Sequence, residues 1–193
     1  MIKKSSRARE IISESLTTKA QILYDDALVE KIEKAAVLIT NVLKKGGKAF
    51  IFGNGGSAAD SQHFAAELIG RFQKERKGLP AIALTTDTSS LTALANDYSF
   101  DIIFKRQLEA LACPKDIAIA ISTSGRANNV LEAVKTAKKL KLKTLSLTGL
   151  KGCGLSKMTD ISLIAPSTVT ARIQESHILF IHIICELVEN NFT

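Results

Sequence analysis

His63 and Glu67 stand four residues apart in the segment Gln62-His-Phe-Ala-Ala-Glu67. On a helix this spacing places both side chains on one face, a turn apart, beside the apolar stripe of Phe64 and Leu68 rather than within it. An imidazole and a carboxylate so placed can share a metal ion or act as acid and base. Alone, the pattern fits a solvated pair better, because a metal site needs a fuller set of ligands.

Two glycine- and hydroxyl-rich segments offer a second chemistry. Gly53-Asn54-Gly55-Gly56-Ser57 lets the backbone turn sharply and a ligand approach closely, since glycine has no Cβ. Ser57 suits the N-cap of the helix behind it, and a helix start offers unpaired N–H groups and partial positive charge to a phosphate. Ser122-Thr123-Ser124-Gly125 repeats the arrangement, with three hydroxyls as donors for a phosphate monoester. A capped loop explains either segment alone; two in one chain favour a phosphate site. Asn96-Asp97 suits sugar hydroxyls or a plain turn. Gln174, His177 and His182 fall in an apolar C-terminal run, where a histidine is more often a hydrogen-bonded core residue than a ligand.

These residues need elements to hold them. Ala49-Phe-Ile-Phe52 is an unbroken apolar run suited to a strand covered on both faces. Further short strands are expected at 80–84, 116–121, 143–148 and 161–165, the last closed by Pro166. Ile11, Ile12, Leu16, Ala20 and Leu23 repeat at helical spacing, as do Leu28, Ile32, Ala35, Ala36, Ile39, Val42 and Leu43 until Gly46-Gly47 ends the run. Later helices are expected from 57, through Leu91 to Asp97, and over 101–111, 129–140 and 170–190. Residues 70–78 read as a charged loop, and Glu175 and Glu186 as surface charges.

The alternation predicts an α/β fold: a doubly wound five-stranded parallel sheet with helices on both faces. A helical pair over 1–46 precedes an α/β core over 47–193, all in one domain. Ligands in such folds sit beyond the carboxyl ends of the strands. The leading pair, and the nearly all-round apolar last helix, are expected to bury apolar faces on a partner subunit.

Composition bounds the class. The 193 residues suffice for one full core, and Cys113, Cys153 and Cys185 are odd in number without a Cys-x-x-Cys, which points away from disulfide frameworks and thiolate zinc clusters. A reducing cytoplasm fits. Glu10, Ser13 and Glu14 interrupt any apolar region behind Lys3, Lys4, Arg7 and Arg9, so no secretion signal is read. The apolar run at 178–185 is far shorter than the roughly 20 residues of a membrane span. The net charge of +7 suits a small anion or a solvated basic surface; with no Trp and few aromatic residues, nucleic acid is not expected as a ligand.

Gly53-x-Gly55-x-x-Ala58 also fits the dinucleotide-binding fingerprint. That fingerprint requires an acidic residue about 20 positions on, at the end of the second strand. Glu75 lies in the polar loop and Asp87 comes too late. Together, Gly53-Asn-Gly-Gly-Ser-Ala-Ala-Asp60, Gln62-His-Phe-Ala-Ala-Glu67, Ile121-Ser-Thr-Ser-Gly125 and Ala171-Arg-Ile-Gln-Glu-Ser-His177 with His182 closely resemble the phosphoheptose isomerases. These are single sugar-isomerase (SIS) domain enzymes of flavodoxin-like fold, and the resemblance covers nearly the whole chain.

The resemblance implies conversion of sedoheptulose 7-phosphate into D-glycero-D-manno-heptose 7-phosphate through an enediol. It implies that Ser57, Ser122, Thr123 and Ser124 hold the phosphate, while Asn54, Gly55, Gly56, Glu67, Asn96, Asp97 and Gln174 meet the rest of the substrate. It implies a zinc ion on His63, Glu67, Gln174 and His182, with Glu67 moving the proton at carbon and His182 serving the oxygens. Gln174 and His182, eight residues apart, would span about 12 Å of helix, so a shared ion must sit between them. A cytoplasmic homotetramer is implied as well. The alternatives within the same fold are a noncatalytic SIS-domain protein that binds a replication initiator and an isomerase of a related sugar phosphate; the Glu67, Gln174 and His182 set favours an enzyme. This chain departs from the family in Arg126-Ala127, where many relatives have Asn-Ser, and in Val169, where relatives often have an acid.

Overall fold

The computed structural model describes residues 6–192. Lys3, Lys4 and Ser5 lie outside them. The helical spacing at the start of the chain becomes α1 (Arg7–Leu23), capped by Ser6, and α2 (Asp26–Lys44), capped by Asp25. There follow β1 (Ala49–Gly53), α3 (Gly56–Ile69), β2 (Ala81–Ala83), α4 (Thr88–Asp97) and, after a 3-10 turn, α5 (Ile103–Leu111). The remaining elements are β3 (Ile117–Ser122), α6 (Asn128–Lys139), β4 (Lys143–Gly149), the single turn α7 (Cys153–Ser156), β5 (Ile161–Ala165) and α8 (Thr170–Glu189).

The five strands form one parallel sheet in the order β2-β1-β3-β4-β5. Side chains alternate across it. Ala49 and Ile51 of β1 and Ile117, Ile119 and Ile121 of β3 join a core with α2, α3 and α8. Phe50, Phe52, Ala118 and Ala120 join a second core with α5 and α6 on the opposite face. This double covering is why β1 and β3 read as continuous apolar runs. The strand order reverses between β1 and β3, so the connections after these two parallel strands run to opposite sides of the sheet, the arrangement that leaves a crevice at their carboxyl ends. At the other end, the buried Asp116 carboxylate accepts from the backbone N–H groups of Lys48 and Cys113, both at 2.8 Å, pinning the two strand starts.

The leading helices do not behave as a unit. α2 buries Leu28, Ile32, Ala35, Ile39 and Leu43 on its own sheet and on α8. α1 buries only Thr18 and Ile22, leaving Ile12, Leu16 and Leu23 58%, 62% and 66% exposed. Only α1 therefore has the uncovered apolar face expected of the pair. α8 likewise buries Phe180, Ile181, Ile184 and Val188 against its own chain, with Ile178, Leu179 and Ile183 partly covered. No helix of the described residues is long and apolar enough to cross a membrane.

Candidate active site

The turn after β1 is built on glycine. A Cβ on Gly53 would stand 2.6 Å from the Ile121 carbonyl oxygen and 2.8 Å from Ser57 Cβ. Gly55, at φ +56°, adopts a conformation that residues with a side chain rarely take, and it becomes the N-cap of α3. This corrects the expectation for Ser57: the helix begins at Gly56, and Ser57 lies inside its first turn, 4% exposed, with its carbonyl accepting from Ser61 Oγ. The reversal at Gly55 starts the helix early. Gly56 faces α8, and a Cβ there would collide with the amide of Gln174, so Gln174 lies directly against this turn.

The turn after β3 is tied internally. Ser122 Oγ accepts from Gly125 N–H at 3.2 Å, and Ser124 Oγ from Arg126 N–H at 3.3 Å. The two turns are joined by Asn54 and Asn129, whose amides donate to each other at 2.9 Å in both directions. α3, α6 and α8, the helices that follow β1, β3 and β5, lack a side-chain cap, whereas α1, α2 and α4 are capped by Ser6, Asp25 and Asp87. The Ser57 and Ala58 N–H groups of α3 bond the Asn54 and Gly55 carbonyls, and Val130 N–H of α6 bonds the Ala127 carbonyl, so these helix starts offer an anion at the carboxyl end of the sheet their partial positive charge more than a row of free donors. Thr123 and Ser124 line a cavity of about 230 Å³ there. A wider groove of about 830 Å³, between α1 and the start of α8, contains none of the candidate residues.

Beside these turns, α3 and α8 bring three of the candidate chemical groups together. His63 Nε2 is 2.9 Å from His182 Nε2 and 3.4 Å from Glu67 Oε1. One imidazole must donate to the other, which fixes opposite tautomers on the two rings. Phe72 covers the His182 ring, with centroids 5.7 Å apart. One turn before His63, burial raises the Asp60 carboxyl to about 6, partly opposed by His63.

The segment behind Glu67 is held by a buried carboxylate. Glu189 accepts from the backbone N–H groups of Phe72, Gln73 and Lys74 at 2.8–2.9 Å and meets Arg76 Nε at 3.2 Å. Burial alone would raise its pKa; the three N–H donors and Arg76 hold it below the usual carboxylate range. Arg76 in turn donates to the carbonyls of Glu67, Leu68 and Gly70. The charged loop is thus fastened to α8, and it delivers Phe72 to His182.

Other expectations meet the structure unevenly. Asn96 and Asp97 are exposed in the last turn of α4, Asn96 Nδ2 donating to Asp97 Oδ1 at 2.8 Å, and line neither cavity. Glu175 is no simple surface charge: it accepts from Ser15 Oγ at 2.7 Å and pairs with Arg172, fastening α1 to α8. His177 is a core residue, yet neither ring nitrogen makes a hydrogen bond of standard geometry. Asn129, Arg76 and Glu189 escaped the sequence reading, since their partners lie 75 to 117 residues away.

Among the described residues no group of three or more His, Cys, Asp or Glu side chains forms a ready metal site. The donor types nonetheless suit zinc: two imidazole nitrogens and a carboxylate converge, with an amide on the same helix as His182. The 2.9 Å between the imidazoles is a direct hydrogen bond, shorter than the roughly 3.4 Å edge of a tetrahedral zinc site, so the rings must part slightly to admit an ion.

A parallel doubly wound sheet, two glycine- and hydroxyl-rich turns at its reversal point and a His–Glu–His cluster beside them define an α/β domain of the sugar-isomerase type. A family model described as the SIS domain matches residues 10–149. Phosphoheptose isomerase of Aliarcobacter butzleri is 50% identical over 190 residues, covering 98% of this chain and 99% of the relative. Among solved structures, phosphoheptose isomerases from Neisseria gonorrhoeae and Francisella tularensis superpose with TM-scores of 0.89 and 0.91 at 44% and 38% identity, each covering 95% of this chain and 97% of theirs. The chain belongs to the SIS-domain family and, within it, to the phosphoheptose isomerases.

Proposed function

We propose that this isomerase interconverts sedoheptulose 7-phosphate and D-glycero-D-manno-heptose 7-phosphate on the route to activated heptose. The observation that carries the reading is the His63–Glu67–His182 cluster, held beside two glycine- and hydroxyl-rich turns. Ser57, Ser122, Thr123 and Ser124, with the positive N-terminal ends of α3 and α6, receive the phosphate. Asn54, Gly55, Gly56 and Gln174 are assigned to the sugar, while Asn96 and Asp97, exposed at the end of α4, carry that role by family resemblance alone.

The chemistry is a proton relocation. Glu67, as carboxylate, takes a proton from C1 of the ketose, and the electron pair moves to give the enediol. Glu67 returns the proton to C2, so one C–H bond breaks, another forms, and no oxidant is consumed. His182 gives a proton to the C2 oxygen and takes one from the C1 oxygen. Phe72 keeps one side of its ring apolar.

We also propose a resident zinc ion held by His63, Glu67, Gln174 and His182. Bound there, it would polarise the carbonyl and steady negative charge on the substrate oxygens. The uncovered Ile12, Leu16 and Leu23 support assembly, which we assign to a cytoplasmic homotetramer.

NMR of purified protein with sedoheptulose 7-phosphate, with added zinc and after chelation, tests the proposal. New aldose signals that vanish on chelation support both parts. Signals that persist retain the isomerase and remove the metal, and absence of product under both conditions overturns the substrate assignment.

A further inference from the structure

The loops after β3 and β4 touch through glycine. A Cβ on Gly125, at φ +62°, would stand 2.5 Å from Gly152 Cα and 2.8 Å from its carbonyl oxygen, so neither loop can withdraw without opening this contact. Arg126 follows one glycine and Lys151 precedes the other. Both side chains line the cavity of about 230 Å³, together with Thr123, Ser124, Thr168 and Thr170. No carboxylate lines it, and among the described residues neither cation makes an ion pair.

A phosphate monoester carries between about −1.5 and −2 charges at neutral pH. Hydroxyl and backbone donors order its oxygens but bring no full positive charge. We propose that Arg126 and Lys151 are the charged half of the phosphate subsite, pairing with the phosphate oxygens while Thr123 and Ser124 donate hydrogen bonds. Each of the two abutting loops thus brings one cation to the same cavity. The substrate's phosphate is then recognised largely by its charge, and affinity weakens as salt rises. This inference rests on the isomerase reading.

The test compares wild type with Arg126→Met, Lys151→Met and the double variant, with sedoheptulose 7-phosphate as substrate and inorganic phosphate as competitive inhibitor, at low and raised KCl. Each single variant is expected to raise KM and weaken inhibition by phosphate about tenfold, more than it lowers kcat. The double variant loses most of the salt dependence. Lys138→Met, an exposed position in the last turn of α6, serves as the charge control and keeps wild-type constants. Wild-type KM and phosphate inhibition in the Arg126 and Lys151 variants, with turnover intact, overturn the inference and leave the isomerase standing. A wild type that does not turn over the substrate defeats the isomerase reading instead. In that case 31P NMR titration of the same variants with inorganic phosphate still decides the role of the two cations.

Discussion

Asn54 and Asn129 exchange two hydrogen bonds of 2.9 Å, so the turn after β1 and the first turn of α6 move as one body. Asn129 is 2% exposed, and its amide oxygen also meets Val130 N–H. Replacing it by alanine strands the Asn54 amide over the crevice. Asn129→Ala is expected to cost about 1–3 kcal/mol in urea unfolding and to raise KM severalfold. A variant with wild-type stability and KM would show that the two turns hold their positions independently.

Glu67→Gln keeps the size of the side chain and removes the base. Turnover should fall by at least about a hundredfold, with circular dichroism and elution volume unchanged. Retained activity sinks the assignment of the proton shuttle.

His63→Ala removes one of two facing imidazoles without touching the assigned shuttle. Elemental analysis should find less zinc per chain than in wild type, whatever the residual activity. Equal zinc content in the two proteins would place the ion elsewhere.

The Arg76–Glu189 pair is almost wholly buried, with side chains 1% and 2% exposed. Removing one partner leaves the other charge uncompensated, a loss of about 3–5 kcal/mol. Glu189→Ala is expected to lower the unfolding midpoint accordingly and to expose the 70–78 amides to hydrogen exchange. Unchanged exchange there refutes the fastening role of Glu189.

His177 supplies a pH test. Burial lowers its pKa from 6.5 to about 4, a shift only partly offset by the nearby Thr148 backbone. The unfolded chain therefore binds the proton more readily, and stability is full above about pH 6.5 and lost as pH falls toward 4, by up to about 3 kcal/mol. Asp60, raised to about 6, works with the opposite sign between about 4 and 6 and masks part of this loss. The clean comparison is with His177→Gln, whose urea midpoint should fall less between pH 7 and pH 5 than that of wild type. Parallel pH profiles would contradict the buried neutral ring.

The sheet was legible because burial on both faces leaves Ala49 to Phe52 of β1 and Ile117 to Ile121 of β3 without a polar residue, and runs that short between turn residues favour strand over helix. The two glycine- and hydroxyl-rich turns were legible for a related reason: small residues at a strand end mark a tight strand-to-helix turn. Ser57 misled because serine commonly caps helices, while the positive φ of Gly55 took that place first. Glu175 and Glu189 were illegible as anything but charges on a helix. Their meaning lies in Ser15 and in the Phe72 to Lys74 amides, which only the packing of α1 and the 70–78 loop against α8 supplies. Only the family resemblance put His63 and His182 in one ligand set; their direct contact was not read, since nothing local to either segment announces the other.

The closeness of Gly56 to the Gln174 amide makes one position the warden of another. A Cβ at 56 would meet only the far end of the flexible Gln174 side chain, so alanine there is accommodated by swinging that amide off the turn rather than by moving backbone. What the missing Cβ guards is therefore where Gln174 rests, and not whether the chain folds.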